Sequence, residues 1–316
     1  SGPLYDGWSG AWAHPYALFK WASLAQLTGT RFVCLSTGAG PLSAHLSQFF
    51  VRRAISGSWY RSYRDPSSAK LIEGLHVIGP HPVYPDMGFA LDAERFSRRQ
   101  PLPGTAEGRT VVGLNLMAHC DPRYTPRGDP ERYACYARTM AEFAARLLEN
   151  NLAVVLLYSQ IQADPRVGAD VREILQREYR LGDDPRLIEQ PISSYACLVN
   201  LVSWCDYVIA ARYHCIVLPC VLGIPVIGLA YHQKTFDLMK SMGQSKYCLD
   251  IDSVRPSELT DLFQTLQRNR RVIGVELHKR VVECRTRLAE QFDCVLGAAG
   301  TPDTLCSPLE LASSEK

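Results

Sequence analysis

The sequence predicts an α/β protein of two domains, each built around a parallel sheet. The chain has 316 residues, which at roughly 100 to 200 residues per domain gives two domains, or one large domain with an appendage. From residue 110 onward, short β-rich apolar runs alternate with longer stretches of helical periodicity. This alternation is typical of βαβ units and therefore of Rossmann-like domains.

Composition and charge narrow the class of protein. Hydrophobic residues make up 47% of the chain, charged residues make up 21%, and the net charge is +2, as in ordinary globular proteins. No apolar stretch reaches the ~18 residues that a membrane span needs, because the run over residues 218–231 is broken by proline and glycine. The N-terminus shows no secretory signal pattern. We therefore expect a cytoplasmic protein.

The eleven cysteines form no C-x-x-C pair, which argues against zinc ribbons and redox dithiols. Several of them lie in apolar segments, and an odd number argues against a secreted disulfide framework. We expect most of them to be buried thiols.

The second domain is predicted to contain six strands separated by helices. The strands are expected at residues 111–117, 152–158, 186–189, 206–210, 224–230 and 246–249. The clearest helix lies between the first two, with Asp129 as its cap and Pro130 at its first position. Further helices are expected at residues 168–179, 194–205, 213–222 and 236–242.

The first hundred residues show fewer elements. We expect a helix at residues 15–27 and strands at residues 31–36, 58–63 and 76–79. Three strands leave a sheet edge and an apolar face uncovered. The pattern therefore predicts that this first domain lacks an N-terminal portion.

These elements define the expected domain boundaries. We expect a partial first domain over residues 1–100, a second domain over residues 101–270, a C-terminal helix within residues 271–296 and a disordered tail over residues 297–316. Proline and glycine over residues 96–109 indicate the linker between the two domains.

A first candidate site follows the strand expected at residues 58–63. There the chain reads Arg64-Asp65-Pro66-Ser67-Ser68. Ligands of open α/β sheets bind at the carboxyl ends of strands, and an arginine beside a helix N-terminus suits an anion. In the alternative interpretation, Asp65 only caps a helix and Arg64 only pairs with a nearby carboxylate. Spacing alone favours this second interpretation.

A second candidate site combines the ends of two later strands. Arg212 and His214 begin a predicted helix, and together they can present a fixed cation and a proton-transfer group to one ligand. Tyr231 and Lys234 follow the next strand. The alternatives are a surface arginine, a histidine with structural partners, and ordinary loop solvation.

His14 is a third candidate. It lies in a loop with two tryptophans and a glycine, Trp8-Ser9-Gly10-Ala11-Trp12-Ala13-His14. Aromatic rings in such loops stack on the apolar faces of sugars. His14 could equally be a residue that merely neighbours the start of a helix.

These motifs together resemble the polysaccharide pyruvyl transferase family. The resemblance covers about residues 2–250 and rests on motifs in the family's order and spacing: the end of a glycine-rich loop at Gly2-Pro3-Leu4, Gly38-Ala39-Gly40-Pro41-Leu42, Arg64-Asp-x-x-Ser68, Arg212-x-His214, Gly223-Ile224-Pro225 and Tyr231-x-x-Lys234. Two departures occur. The family's N-terminal Asn-x-Gly-Asp segment is absent, and Ala211 stands where serine is usual.

The resemblance implies a GT-B-like fold, in which two Rossmann-like domains face each other across the active-site cleft. It also implies transfer of a pyruvyl group from phosphoenolpyruvate to a sugar of a cell-surface or exopolysaccharide precursor, with a ketal formed and phosphate released. Arg64 and Arg212 are then expected to bind phosphoenolpyruvate, and His214 to act as the general acid or base. Five further residues are expected to bind substrate or to orient the loops around it: Asp65, Ser68, His14, Tyr231 and Lys234.

No cofactor is expected beyond this co-substrate. We see no cluster of carboxylates with metal-ligand spacing, so no tight metal site is expected, although a loosely held Mg²⁺ could accompany the phosphate. The acceptor is expected to be a free or lipid-linked saccharide, with at most peripheral contact with the inner face of the membrane. The short basic clusters at residues 98–99 and 268–271 give nucleic-acid binding little support.

Two other functions stay open at this point. A GT-B glycosyltransferase that uses a nucleotide sugar would have the same fold. The absence of glutamate between Glu189 and Glu258 argues against it, because many such enzymes bind the donor sugar with glutamates in their second domain. A non-catalytic carbohydrate-binding protein is the other alternative.

Overall fold

The computed structural model of the chain describes residues 4–7, 10–92, 106, 108–125 and 128–297. The chain divides into two units, one formed by residues 1–90 with 283–316 and the other by residues 91–282. Parallel sheets occur in both units, as the sequence predicts. The linker predicted at residues 96–109 and the tail predicted at residues 297–316 lie almost entirely outside the described residues.

Among its described residues, the first unit contains two parallel strands and three α-helices, followed at the end of the chain by part of a long helix. Its elements are α1 (His14–Leu27), β1 (Val33–Thr37), α2 (His45–Ser56), β2 (Tyr60–Tyr63) and α3 (Pro66–Glu73). The apolar core of this unit lies between β1, β2 and the helices. The sequence interpretation missed α2, whose start is held by a distant group: the Asp6 carboxylate accepts a hydrogen bond from the N–H of Ala44 at 2.9 Å.

The prediction of a strand at residues 76–79 is wrong. His76 and Gly79 have positive φ angles of 57° and 103°, which an extended strand does not allow. The guanidinium of Arg61 instead donates hydrogen bonds to the carbonyls of Ile78 and Pro80. The segment is therefore a loop held against β2.

The described part of the second unit contains six parallel strands with helices between them. The strands are β3 (Val111–Asn115), β4 (Ala153–Leu157), β5 (Leu187–Glu189), β6 (Tyr207–Ala210), β7 (Val226–Ala230) and β8 (Cys248–Asp250). All six predicted strands are present, with ends shifted by up to two residues. Every residue of β3, β4, β6 and β7 is buried, which explains why these strands are continuous apolar runs.

The sheet order is β5-β4-β3-β6-β7-β8. Numbered within the unit, this is the order 3-2-1-4-5-6 of a doubly wound dinucleotide-binding fold. The chain reverses direction across the sheet between β3 and β6, which are neighbours in register from Val112↔Tyr207 to Asn115↔Ala210. The carboxyl ends of these two strands are where such sheets bind ligands.

Seven of the described helices belong wholly or partly to the second unit. They are α4 (Pro130–Glu149), α5 (Asp164–Ile174), α6 (Tyr195–Ser203), α7 (Tyr213–Val221), α8 (Gln233–Ser241), α9 (Pro256–Arg268) and α10 (Arg270–Leu296). The α4 prediction is confirmed to the cap, because Asp129 accepts hydrogen bonds from the N–H groups of Glu131 and Arg132. The sequence interpretation missed α9. No described helix has both the length and the apolar character to cross a bilayer.

Two predicted helices begin at the wrong residue. Helix α5 starts four residues before residue 168, because Asp164-Pro165 opens its first turn, and it passes into a π-helical turn over Leu175–Tyr179. Helix α8 starts at Gln233 rather than at residue 236, because the ring of His232 caps it by accepting a hydrogen bond from the N–H of Lys234 at 3.3 Å. Both helices therefore begin close to the carboxyl end of the preceding strand.

The last helix, α10, contributes to both units. Its residues from Glu283 onward belong to the first unit. There the fully buried Gln291 donates to Ser62 Oγ at 2.6 Å and accepts from Ser36 Oγ at 3.2 Å. Paired side-chain amides and hydroxyls of this kind satisfy buried polar groups beside β1 and β2.

Candidate active site

The candidate site of the second unit begins with Asn115, the last residue of β3. Asn115 is fully buried. Its Nδ2 donates to the carbonyl of Leu157 at 2.8 Å, and its Oδ1 accepts from the backbone N–H of Arg212 at 2.9 Å. One side chain thus joins the carboxyl ends of β4 and β3 to the residue that precedes α7. This contact lies at the point where the strand order reverses.

Arg212 is the cation at this point. Its Nη2 donates to Asp164 Oδ1 at 2.6 Å, and its side chain is 21% exposed. Burial opposes the charge of Arg212, but the Asp164 carboxylate outweighs burial and raises the pKa of the guanidinium. Nε of Arg212 is buried and has no hydrogen-bond partner among the described residues. Asp164 therefore holds the guanidinium by one nitrogen, and the remaining N–H groups include a donor that can bind a ligand.

Asp164 holds this arginine in place. Asp164 is fully buried at the first position of α5. Besides Arg212, it accepts hydrogen bonds from the backbone N–H groups of Ala118, Ser159 and Gln160. A buried carboxylate is stable only with such a set of donors. The sequence interpretation missed Asp164, although Asp164-Pro165 after β4 repeats the pattern of Asp65-Pro66 after β2.

The start of α7 adds backbone N–H groups to this arrangement. Arg212 occupies the N-cap position but makes no side-chain capping hydrogen bond. The first N–H groups of a helix have no partner within the helix, and together with the helix dipole they favour an anion. His214, two residues further on, is exposed, and its ring lies edge-on to Tyr213 with the centroids 5.7 Å apart. The predicted Arg212-x-His214 pair is thus presented at the sheet edge.

Tyr231 and Lys234 lie at the end of the adjacent strand. β7 pairs with β6 in parallel, and Ala210 is opposite Gly228. Tyr231 is 45% exposed and close enough to Arg212 to interact electrostatically with it. Lys234 lies in the first turn of α8. The structure therefore brings Arg212, His214, Tyr231 and Lys234 to neighbouring positions along one edge of the sheet.

The first unit contains a partly buried arginine of its own. Arg64 follows β2, its side chain is 17% exposed, and its Nη1 donates to Asp86 Oδ2 at 3.0 Å. The guanidinium lies against the loop after β1: a Cβ at Gly38 would come within 2.6 Å of Arg64 Nε. Only glycine at position 38 lets the guanidinium lie there. This contact explains why the glycine motif and the arginine motif occur together.

Asp65 and Ser68 build the surroundings of Arg64. Asp65 is the N-cap of α3, and its Oδ1 accepts from the N–H of Ser68 at 2.6 Å. The buried Ser68 hydroxyl accepts from the N–H of Ala39 at 2.8 Å. The capping contact and the Arg64 ion pair are those of the alternative sequence interpretation. In the described contacts Asp65 and Ser68 shape the loop, and their role in substrate binding stays a prediction.

His14 is the third sequence-predicted candidate, and it belongs to the first unit. It is the first residue of α1, and its side chain is exposed. The neighbouring Trp12 ring lies edge-on to Tyr16 and to Phe50. A role for His14 in sugar binding stays a prediction.

A pocket of about 590 Å³ opens at the carboxyl ends of β4 and β5. Within it the Tyr158 hydroxyl donates to Glu189 Oε1 at 2.8 Å, and Arg172 Nη2 lies 3.1 Å from Glu189 Oε2. Burial and the hydrogen bond to Glu189 raise the pKa of Tyr158. The tyrosine is therefore a hydrogen-bond donor at neutral pH, in a pocket also lined by Ile161 and Pro165.

Among the described residues, one group of three side chains has its ligand atoms close enough to hold a metal ion. It consists of His119, Cys120 and Asp252. Sequence spacing could not reveal this group, because His119 and Asp252 are 133 residues apart.

Acid is expected to lower the stability of the folded chain through Asp121, which lies in the loop after β3. This carboxylate is fully buried. Burial raises its pKa, but hydrogen bonds from Arg123 outweigh burial and lower the pKa below the usual value. A lowered folded-state pKa stabilises the fold above the unfolded-state pKa, and this stabilisation is lost as the pH falls through the folded-state pKa. We expect Asp121→Asn to lower the free energy of unfolding by at least about 1 kcal/mol at pH 7. Below about pH 4 the substitution should lower it by less.

Urea unfolding of the unmodified chain and of Asp121→Asn, at pH 7 and at pH 3.5, measures this difference in the free energy of unfolding. Asp183→Asn, at an exposed aspartate of the same unit, is the control and should change little at either pH. A difference between Asp121→Asn and the unmodified chain that does not depend on pH would contradict the prediction.

Solved structures similar to this one identify the class of protein. A UDP-N-acetylglucosamine 2-epimerase structure from Listeria monocytogenes matches with a TM-score of 0.59 at 9% identity, over 92% of this chain and 81% of that chain. A UDP-forming trehalose-phosphate synthase from Burkholderia xenovorans matches with a TM-score of 0.57 at 11% identity, over 93% and 73%. The corresponding enzyme from Burkholderia vietnamiensis matches with a TM-score of 0.56 at 10% identity, over 90% and 72%. At these identities the likeness shows the fold alone, and the chain is an α/β protein of GT-B-like fold.

The family is narrower than this fold class. The family model of the polysaccharide pyruvyl transferases matches residues 1–233, a range that includes both arginine motifs and the glycine loop. The chain belongs to the polysaccharide pyruvyl transferase family, a family of transferases. A comparison with curated protein sequences found no significant match.

Proposed function

We propose that the chain transfers the pyruvyl group of phosphoenolpyruvate to two hydroxyls of a saccharide, with formation of a ketal and release of phosphate. The observation that carries this proposal is Arg212: a partly buried guanidinium whose buried Nε has no hydrogen-bond partner among the described residues, fixed by Asp164 at the N-terminus of α7. Membership of the family supports the reaction class.

The donor requires more than one cation. Phosphoenolpyruvate carries a carboxylate and a phosphate, and each hydrogen bond to such a charged group contributes roughly 1.5 to 3 kcal/mol. Arg212 and the first N–H groups of α7 supply one anion site. Lys234 adds positive charge at the end of the adjacent strand.

His214 is the proposed proton-transfer group. In the overall reaction the methylene carbon of phosphoenolpyruvate gains one proton, the two acceptor hydroxyls lose two, and the departing phosphate carries away the remaining one. Two C–O bonds to the central carbon form, and its bond to the phosphate oxygen breaks. The imidazole of His214, exposed at the start of α7, can act as a general acid or a general base in whichever of the two steps it serves.

The proposed acceptor is a precursor of a cell-surface polysaccharide or exopolysaccharide, either free or lipid-linked. Because phosphoenolpyruvate is an intracellular metabolite, we propose that the reaction takes place in the cytoplasm. Contact with the inner face of the membrane is proposed only for a lipid-linked acceptor.

Calorimetric titration tests the donor. Phosphoenolpyruvate and, separately, a uridine diphosphate sugar are titrated into the chain and into Arg212→Ala. We expect phosphoenolpyruvate to bind the unmodified chain and to bind Arg212→Ala at least tenfold more weakly, because at least one charge-assisted hydrogen bond is lost. Arg138→Ala, which removes an exposed arginine of α4, is the matched control and should bind like the unmodified chain.

The other outcomes are equally informative. Binding of the nucleotide sugar without binding of phosphoenolpyruvate would contradict the proposal and favour a GT-B glycosyltransferase. Binding of a saccharide, titrated in the same way, without binding of either donor would favour a carbohydrate-binding protein.

A further inference from the structure

A histidine, a cysteine and an aspartate meet at the carboxyl edge of the second unit's sheet. His119 and Cys120 follow β3, and Asp252 follows β8. His119 Nε2 lies 2.6 Å from Asp252 Oδ1 and 3.5 Å from Cys120 Sγ. The three ligand atoms all lie within 4.8 Å of one another. β6 and β7 separate β3 from β8 in the sheet, so this contact spans the ends of the strands that precede Arg212 and Tyr231.

The separations suit a tetrahedral metal ion. With Zn–N, Zn–S and Zn–O bonds of ordinary length, tetrahedral angles place nitrogen and sulfur about 3.5 Å apart and nitrogen and oxygen about 3.3 Å apart. His119 Nε2 and Cys120 Sγ already have the first separation, at 3.5 Å. Asp252 Oδ1 needs to move away from the ring by less than about 1 Å to reach the second. Its side chain is 38% exposed, which leaves room for this movement.

Neighbouring groups orient two of the three ligands, Asp252 and Cys120. Arg132 donates to Asp252 Oδ2, which leaves Oδ1 directed at His119. Metal-binding carboxylates are commonly held by such an outer hydrogen bond. Cys120 has a positive φ of 56°, a conformation that residues other than glycine rarely adopt. The N–H of Asp129 bonds the carbonyl of Cys120 at 2.8 Å and helps to hold it there.

We propose that His119, Cys120 and Asp252 bind a divalent transition-metal ion of the Zn²⁺ class, with a fourth position open to water or to an anionic ligand. One nitrogen, one sulfur and one oxygen donor favour Zn²⁺ over Mg²⁺ and Ca²⁺, which take oxygen ligands. Three protein ligands leave the coordination shell open.

The metal site adjoins the arginine site through the backbone. Ala118, next to His119, donates its N–H to the same Asp164 oxygen that binds Arg212. An ion at this position fixes the loop after β3 and adds positive charge beside the proposed anion site. The metal site itself does not depend on the identity of the donor substrate.

Cobalt titration tests the site directly. The untagged, metal-stripped chain is titrated with Co²⁺ without oxygen. We expect one ion per chain, a thiolate-to-cobalt charge-transfer band, and loss of the band when Zn²⁺ is added. Cys120→Ser should abolish the band and weaken binding at least tenfold, and His119→Ala should weaken binding to a similar degree. Cys135→Ser, which removes an exposed thiol on α4, is the matched control and should keep the band.

A second measurement avoids variants that do not fold. Alkylation of Cys120 in the folded, unmodified chain is followed by peptide mass spectrometry with and without one equivalent of Zn²⁺. We expect Zn²⁺ to slow alkylation of Cys120 at least tenfold and to leave Cys135 unchanged. Persistence of the cobalt band in Cys120→Ser, no binding at all, or equal alkylation with and without Zn²⁺ would overturn the proposal. Neither measurement uses phosphoenolpyruvate, so this failure is distinct from failure of the proposed reaction.

Discussion

Replacing His214 with alanine is expected to lower the turnover of pyruvyl transfer by about 10² to 10⁴-fold, the usual contribution of a positioned acid or base. Binding of phosphoenolpyruvate should stay within about threefold of the unmodified chain, because Arg212 and the N-terminus of α7 supply the anion site. His214 is exposed at the start of α7, so its replacement removes little buried side-chain packing. The effect should therefore fall on turnover and not on folding.

Phosphate release measures the turnover, and calorimetry measures donor binding. His278→Ala, at an exposed histidine of α10, is the matched control and should leave both values unchanged. Turnover of His214→Ala close to that of the unmodified chain would assign proton transfer to another group and remove His214 from the mechanism.

Replacing Asp164 with alanine is expected to destabilise the second unit by about 3 to 5 kcal/mol. The change removes a fully buried carboxylate and leaves the Arg212 cation without its partner. It also removes the acceptor of the N–H groups of Ser159 and Gln160, and unsatisfied buried donors are costly. This is the largest stability effect that we expect of a single substitution in the candidate site.

Urea unfolding monitored by circular dichroism measures this loss. Asp183→Ala, at an exposed aspartate of the same unit, is the control and should change the free energy of unfolding by less than about 0.5 kcal/mol. Asp164→Asn keeps an acceptor but loses the charge, so it should fold better than Asp164→Ala and still bind phosphoenolpyruvate more weakly than the unmodified chain. An Asp164→Ala protein as stable as the control would show that Asp164 does not hold Arg212.

The local sequence pattern was sufficient to predict most strands and helices of the second unit. Buried parallel strands read as continuous apolar runs, and β3, β4, β6 and β7 are buried at every residue. The cap at Asp129 is likewise a local signal, since its bonds reach only two and three residues along the chain. Arg212 and His214 could be singled out for the same reason, because a residue that follows a strand in a parallel sheet lies at the ligand-binding edge.

Local pattern failed where a distant group decides the conformation. Residues 76–79 resemble a strand, but Arg61 holds their carbonyls in a loop. The start of α2 depends on Asp6, which is 38 residues away from Ala44. Helix α8 starts early because a histidine caps it, and histidine is not among the residues preferred at that position.

The sequence by itself determined the α/β class, the six strands of the second unit, and the two arginine motifs at strand ends. Only the tertiary structure decided which partners these residues have: Asn115 reaches Arg212 across 97 residues, Asp164 reaches it across 48, and Asp252 reaches His119 across 133. The physical reason is the strand order, which makes β3 the neighbour of β6 and places β8 at the edge of the sheet. Periodicity reports which residues are buried within one element, whereas contacts between loops depend on how the elements are ordered in space.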